Sequence, residues 1–242
     1  MIIILKKQLI DLLCEIMKKN IPHIITLSSL CIAILSIIES CKFNLTTSSF
    51  LILFCFVLDA LDGSLARLLK VESEYGKQLD SFSDMIAFGV APGILIFNFI
   101  NIEFNNPTLA YLSLLIPICS ALRLGRYNIK TDKKEGFIGL TTPASAIVFT
   151  SIPLIKQYET NTTLIQFFIN EYTITFMIIF ISILLISQLQ TFSLRLKLIL
   201  ENKRKLGFIF ISTFMLYIFK FSALPIIIFM YIIISFLYFI NN

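Results

Sequence analysis

Apolar and polar positions alternate along this chain on the scale of whole helices rather than of single turns. Near-continuous apolar runs recur at Ile21–Ile38, Phe50–Leu69, Leu79–Ile100, Leu109–Leu122, Pro143–Ile155, Tyr172–Leu189, Leu206–Phe219 and Ala223–Ile240. Runs of this length match the roughly 20 residues that a helix needs to cross the hydrocarbon core. The pattern predicts an all-α, polytopic transmembrane helix bundle of about eight spans. Lys220 and Pro225 interrupt the last apolar stretch, which can also be read as one helix plus a re-entrant piece. Ahead of the first run, Lys7, Asp11, Glu15 and Lys18 form one stripe, and Leu5, Leu9, Leu12, Leu13 and Ile16 fill the other. That spacing predicts an amphipathic helix over residues 1–19 lying in the membrane interface. Its lysines and the lack of a small-residue cleavage site argue against a signal peptide. The expected organisation is therefore an interfacial helix at 1–19, a core of six transmembrane helices at 20–190, and two further ones at 206–240.

Composition agrees with the pattern. Of the 242 residues, 57% are hydrophobic and 14% charged, against roughly 25% charged in ordinary soluble domains. A soluble enzyme is excluded, and the length leaves no room for a sizeable extramembrane domain. Five scattered cysteines, without a CxxC pair or a cysteine–histidine spacing, suggest small buried hydrophobes.

Charge sets the orientation. Threading eight spans gathers Lys6, Lys7, Lys18, Lys19, Arg67, Lys70, Lys77, Arg123, Arg126, Lys130, Lys133, Lys134, Arg195, Lys197, Lys203, Arg204 and Lys205 on one side. Only Lys42, Lys156 and Lys220 fall on the other. Basic residues concentrate in cytoplasmic segments, so both termini are expected in the cytoplasm. The net charge of +5 is then a topology signal, and no nucleic-acid partner is implied.

The polar residues that hydropathy does not explain cluster around the second and third runs. Asp59, Asp62 and Ala66 fall within about 60° of one another on a helix, and Gly76, Asp80 and Asp84 repeat every four residues to make a second stripe. With a turn near Glu72 and Ser73, the two aspartate pairs meet at similar depth. A lone intramembrane aspartate is commonly satisfied by a helix–helix hydrogen bond. Four together cost roughly 10 kcal/mol to insert, at about 2.5–3.5 kcal/mol each. One arginine cannot neutralise them, whereas divalent cations held through oxygen ligands can, and Mg²⁺ or Mn²⁺ prefer such ligands. The constellation points to a binuclear metal site, which suits phosphoryl chemistry. Gly63 and Gly76 let a backbone or ligand approach closely, and Arg67 offers a planar donor to phosphate.

The run from Asp59 to Asp84 reads D-x2-D-G-x2-A-R-x8-G-x3-D-x3-D, which resembles the signature of the CDP-alcohol phosphatidyltransferase family. The resemblance implies a polytopic enzyme that transfers a phosphatidyl group from a CDP-linked lipid to an alcohol, with release of CMP and two divalent cations, Mg²⁺ or Mn²⁺, as cofactors. By that resemblance, Asp59, Asp62 and Asp80 hold one ion, and Asp59, Asp80 and Asp84 the second. Asp84 is also the catalytic general base, while Asp62, Gly63, Ala66, Arg67 and Gly76 contact the CDP-lipid. The segments Ser83–Gly93, Ala121–Asn128 and Phe137–Ala146 resemble the phosphatidylserine synthase branch, which implies CDP-diacylglycerol and L-serine as substrates in the lipid bilayer. The similarity covers about residues 20–150. His23 stands where that branch has Asn, and Thr141 where it has Pro. The resemblance further implies a homodimer. The bacterial inner membrane, with the active site facing the cytoplasm, is the expected location.

Arg123, Arg126 and Asn128 close the fourth run. They are read either as positive-inside anchors or as acceptor contacts, with an arginine fork on the serine carboxylate. His23, the single histidine, is read as interfacial or as a substrate contact. Within the same chemistry the acceptor could instead be glycerol 3-phosphate or inositol phosphate. A small divalent-cation transporter would use the same aspartates as an ion path, but it leaves Gly63, Ala66 and Arg67 unexplained.

Overall fold

The computed structural model describes residues 2–69, 71, 73–129, 137–191 and 203–240. Helix α1 runs unbroken from Ile2 to Cys41 with Pro22 inside it, so the expected interfacial helix is continuous with the first apolar run. The side chains of residues 1–19, on which the amphipathic stripe depends, lie outside the description, as do Lys70, Lys130, Lys133, Lys134, Arg195 and Lys197. Helix α2 spans Leu45–Leu69. The chain reverses between α1 and α2 through Phe43, which adopts a positive φ of 64°.

The pairing of α1 with α2 rests on small residues. Thr26, Ser29, Ala33, Ser36 and Ser40 form a buried stripe at spacings of three and four, facing buried Ser48, Ser49, Ile52 and Cys55. The backbones approach closely enough for the Ser36 hydroxyl to reach Ser48 Oγ at 2.9 Å and for Cys55 Sγ to donate to the Ser29 carbonyl at 3.3 Å. In a bilayer, where lipid is as apolar as leucine, such close packing and interhelical hydrogen bonds drive association.

The third run becomes helix α3 (Glu74–Asp84), a π-helical segment (Met85–Val90) and α4 (Ala91–Phe104) in one continuous rod. It starts five residues before the apolar run because its first turn is polar and capped: Ser73 Oγ accepts from the Gly76 N–H at 3.0 Å. A short α5 (Pro107–Ala110) and a 3₁₀ turn (Tyr111–Leu114) lead into α6 (Leu115–Ile129). Then come α7 (Thr142–Tyr158), α8 (Thr162–Phe168) and α9 (Glu171–Ile186). A two-residue antiparallel pairing of β1 (Phe137–Ile138) with β2 (Gln190–Thr191) joins the segment before α7 to the end of α9. Gly139 beside it has φ +74°, and a Cβ there would lie 2.9 Å from the Leu185 carbonyl oxygen, so only glycine fits. Helices α10 (Lys203–Phe219) and α11 (Ala223–Ile240) complete the chain.

The core centres on α7. Val148, Phe149, Ile152 and Ile155 pack with Ile96, Phe99 and Ile100 of α4, Ile116 of α6, and Ile174, Ile178 and Ile181 of α9. A smaller cluster joins Ala33, Ile52 and Cys55 to Ala87, Phe88, Ala91 and Leu95.

Five described helices are long and apolar enough to cross a membrane: Asn20–Cys41, Leu45–Leu69, Glu74–Phe104, Pro107–Ile129 and Gly207–Phe236. The pair α8 and α9, bent by 55°, would make a sixth. This differs from the expected eight in two places. The run at Pro143–Ile155 lies in α7, whose 17 residues stand at the short end of what a crossing takes. The two expected C-terminal spans fall within the single stretch Gly207–Phe236. That stretch is not straight. The rings of Phe208 and Tyr231 are 6.3 Å apart, whereas 23 residues of straight helix would separate them by about 35 Å. The chain therefore folds back at Lys220–Ser222, with Lys220 at φ 45°, and α10 and α11 form an antiparallel hairpin.

Candidate metal centre and active site

The α2–α3 hairpin turns beside Ser73, and the carboxylates stand on its two inner faces. Oxygens of Asp59, Asp62 and Asp80 all lie within 4.8 Å of one another. Asp62 is buried, at 5% exposure, and Asp59 and Asp80 are half-buried. The donor set is entirely carboxylate oxygen, the ligand chemistry of hard divalent cations, so this triad could hold a metal ion. Asp84, at the last position of α3, lies within charge-interaction range of Asp59, Asp80 and the Arg123 guanidinium.

Helix α1 contributes a member that the motif does not contain. Thr26 Oγ1 lies 2.6 Å from Asp62 Oδ2 and 3.0 Å from the Pro22 carbonyl, and the Thr26 carbonyl accepts from Ser83 Oγ at 3.3 Å. Thr26 thus ties α1 to both aspartate-bearing helices and orients the most buried carboxylate. The stripe of small residues on α1 was the available sign, since Thr26 opens it.

The motif's other members surround the triad. Arg67 is exposed, and its Nη2 lies 3.9 Å from the position of a Cβ on Gly63. Gly63, Ala66 and Gly76 are half-buried. A Cβ on Gly76 would meet His23 Cε1 at 2.8 Å, and the His23 ring stands edge-on to Tyr75 with centroids 5.5 Å apart.

Two glycines beyond the motif set the register between the third and fourth apolar rods. A Cβ on Gly89 would lie 3.1 Å from Ser120 Cβ, and one on Gly93 would lie 2.8 Å from Pro117 Cδ. Asn128 and Ser81 hydrogen-bond further along at 3.0 Å. These three contacts fix one antiparallel register, and in it Arg123 comes within about one helical turn of the level of Asp84. The π-helical segment begins at the residue after Asp84. Such segments are rare and sit disproportionately at functional sites.

The three acceptor candidates part company here. Arg123 is 8% exposed; its Nη1 donates to Thr142 Oγ1 at 3.3 Å, while its Nε is buried without a partner. Arg126 donates to the Ile186 carbonyl at 2.9 Å, closing the last turn of α9 as cations commonly do at helix C-termini. Asn128 is held by Ser81. Only Arg123 of the three faces the aspartates. Thr142 was visible in the sequence only as part of the segment Phe137–Ala146.

The family profile described as CDP-alcohol phosphatidyltransferase matches residues 19–240. Among curated proteins, the chain is 35% identical over 129 residues to a CDP-diacylglycerol–serine O-phosphatidyltransferase of Helicobacter pylori, covering 52% of this chain and 54% of that protein. It is 41% identical over 147 residues to a protein of the same name from Methanocaldococcus jannaschii, covering 60% and 69%. An archaetidylserine synthase of Methanothermobacter thermautotrophicus is 34% identical over 146 residues, covering 57% and 59%. The matched region spans about half the length of the Helicobacter relative. With the aspartate quartet in the spacing of the motif and a profile match across nearly its whole length, the chain belongs to the CDP-alcohol phosphatidyltransferase family.

Proposed function

We propose that this protein transfers the phosphatidyl group of CDP-diacylglycerol to the hydroxyl of L-serine, giving phosphatidylserine and CMP. The observation that carries this reading is the carboxylate triad of Asp59, Asp62 and Asp80, with Asp84 beside it and the buried Arg123 within charge-interaction range of Asp84. The relatives' names differ in the lipid and agree on serine, which favours serine over glycerol 3-phosphate or inositol phosphate.

Asp59, Asp62 and Asp80 would hold one divalent cation, and Asp59, Asp80 and Asp84 a second, as Mg²⁺ or Mn²⁺. Bound there, the ions supply charge neutralisation for phosphate oxygens. The protein's own groups do the rest. Arg67, beside Gly63, pairs with the CDP phosphates, and Asp62, Gly63, Ala66 and Gly76 line the CDP-lipid site. Arg123 binds the serine carboxylate through its unpartnered Nε edge, with Nη1 steadied on Thr142. That placement sets the serine hydroxyl against Asp84. Asp84 takes its proton as the oxygen attacks the phosphorus that bears diacylglycerol, and the bond to the bridging oxygen breaks, releasing CMP. Direct displacement implies inversion at phosphorus and no phosphatidyl-enzyme.

The bundle makes eight crossings, with α7 and the α10–α11 hairpin completing the count, an interfacial segment at 1–19, and the active site and both termini on the cytoplasmic face of a bacterial inner membrane. The basic residues at Arg67, Lys77, Arg123 and Arg126, all near one end of the bundle, support that orientation. The family resemblance supports a homodimer as the active unit.

The test is CMP release by purified protein in detergent with CDP-diacylglycerol and Mg²⁺ or Mn²⁺. Release that depends on L-serine is expected. Release with glycerol 3-phosphate or inositol phosphate instead would overturn the acceptor, and metal flux through vesicles without CDP-lipid turnover would overturn the reaction.

A further inference from the structure

His23 is the single histidine of the chain, and the structure does not leave it loose at the interface. Its ring lies over Gly76: a Cβ there would come within 2.8 Å of Cε1 and 3.5 Å of Nδ1. It also stands against the Tyr75 ring at 88°, centroids 5.5 Å apart. Two rings at a right angle form a corner. Tyr75 is 70% exposed and His23 half-buried, so the corner is accessible.

Its depth is set by two helices independently. Gly76 is four residues before Asp80 on α3, and His23 three residues before Thr26, the partner of Asp62, on α1. Each lies about one helical turn toward the α2–α3 turn, roughly 4.5 Å for His23 from Thr26 and roughly 6 Å for Gly76 from Asp80. Across the cleft, the guanidinium of Arg67 lies along Gly63. An arginine thus stands beside Gly63, next to Asp62, on the α2 side, and two aromatic rings lie about one turn further out on the α1 and α3 side. A nucleoside diphosphate has the same polarity along its length: charged phosphates, then one ribose, then a flat base.

We propose that His23 and Tyr75 form the wall on which the cytosine ring of the donor stacks. The inference rests on the phosphatidyl-transfer reading for the presence of a cytidine nucleotide, and it adds the base-contacting residues that the motif does not name. Stacking of a base on an aromatic side chain is tolerant of the exact ring, so the contact calls for a flat side chain at position 23 rather than for histidine itself.

The test is calorimetric binding of CMP and of ribose 5-phosphate to the full chain in detergent with saturating Mg²⁺. The two probes share the sugar phosphate and differ in the base. The wild type is expected to bind CMP more tightly. His23→Ala and Tyr75→Ala should each weaken CMP about tenfold and leave ribose 5-phosphate unchanged, while His23→Phe should keep wild-type CMP affinity. CMP affinity unchanged in both alanine variants, or both probes weakened alike, would overturn the stacking wall while leaving the transfer reading in place. A wild type that binds ribose 5-phosphate but gains nothing from the base would overturn it equally. No binding of CMP by the wild type would overturn the transfer reading, and this inference with it.

Discussion

Asp84 and Arg123 take their meaning from each other. Asp84 lies at the end of α3 within charge-interaction range of Asp59, Asp80 and the Arg123 guanidinium, so an acceptor bound to Arg123 would bring its hydroxyl toward Asp84. Asp84→Asn should lower kcat by about 10²–10⁴-fold, the usual worth of a general base, with CDP-diacylglycerol binding retained. Turnover near the wild-type rate would remove Asp84 from that role. Arg123→Lys keeps a charge but loses the fork, and it should raise the KM for serine about tenfold or more while the KM for CDP-diacylglycerol stays put. A rise in both would mean that Arg123 serves the bundle rather than the acceptor. Thr26→Val removes the hydroxyl 2.6 Å from Asp62 at nearly constant volume. Groups that orient a metal's ligands are typically worth 10–100-fold in affinity, so Mn²⁺ titration should show a loss of that order.

At the scale of elements, the glycines divide into those that contact and those that do not. Gly93→Ala would drive a methyl to 2.8 Å from Pro117 Cδ, and overpacking of this kind costs about 1–3 kcal/mol. A lower thermal midpoint is expected, together with reduced activity, because the same register carries Arg123 to Asp84. Gly125, on the same α6, has nothing within 4 Å of its Cβ position. Gly125→Ala should therefore be neutral or stabilising by up to about 1 kcal/mol through helix propensity. Equal destabilisation by the two substitutions would refute the register argument. Much at this scale was readable from hydropathy: each expected apolar run falls on a described helix. Helix ends were not, since the polar first turn of α3 carries no apolar signal and its start depends on the Ser73 cap. Reversal within Gly207–Phe236 left two marks, Lys220 and Pro225, because both arms of the hairpin are otherwise largely apolar.

Across the whole molecule, several carboxylates share one low-dielectric cleft with one facing arginine, so the folded state should gain stability from any divalent cation that binds it. A ligand at 100 times its dissociation constant adds about 2.7 kcal/mol. The thermal midpoint should rise with added Mg²⁺ or Mn²⁺ and fall back on chelation. A midpoint indifferent to both ions would count against the metal site. The fold supports that site asymmetrically: an apolar core around α7, and the polar cleft at the end where α2 turns into α3.

The sequence by itself determined the solvent, the helical class and the four aspartates, because these follow from local quantities: run length, charge and spacing along single helices. Spacing of three and four residues places Asp59 with Asp62 and Asp80 with Asp84 whatever surrounds them. The tertiary structure decided what depends on contacts between distant segments. It brought Thr26 to Asp62 from another helix and put His23 over Gly76. It also separated Arg123, which faces the carboxylates, from Arg126 and Asn128, which are spent on docking α6 to α9 and α3. Three polar residues within one helical turn and a half look equivalent in the sequence. Which of them looks inward is set by the rotation of α6 against its neighbours, and Gly89, Gly93, Ser120 and Pro117 fix that rotation through backbone approach, which hydropathy cannot encode.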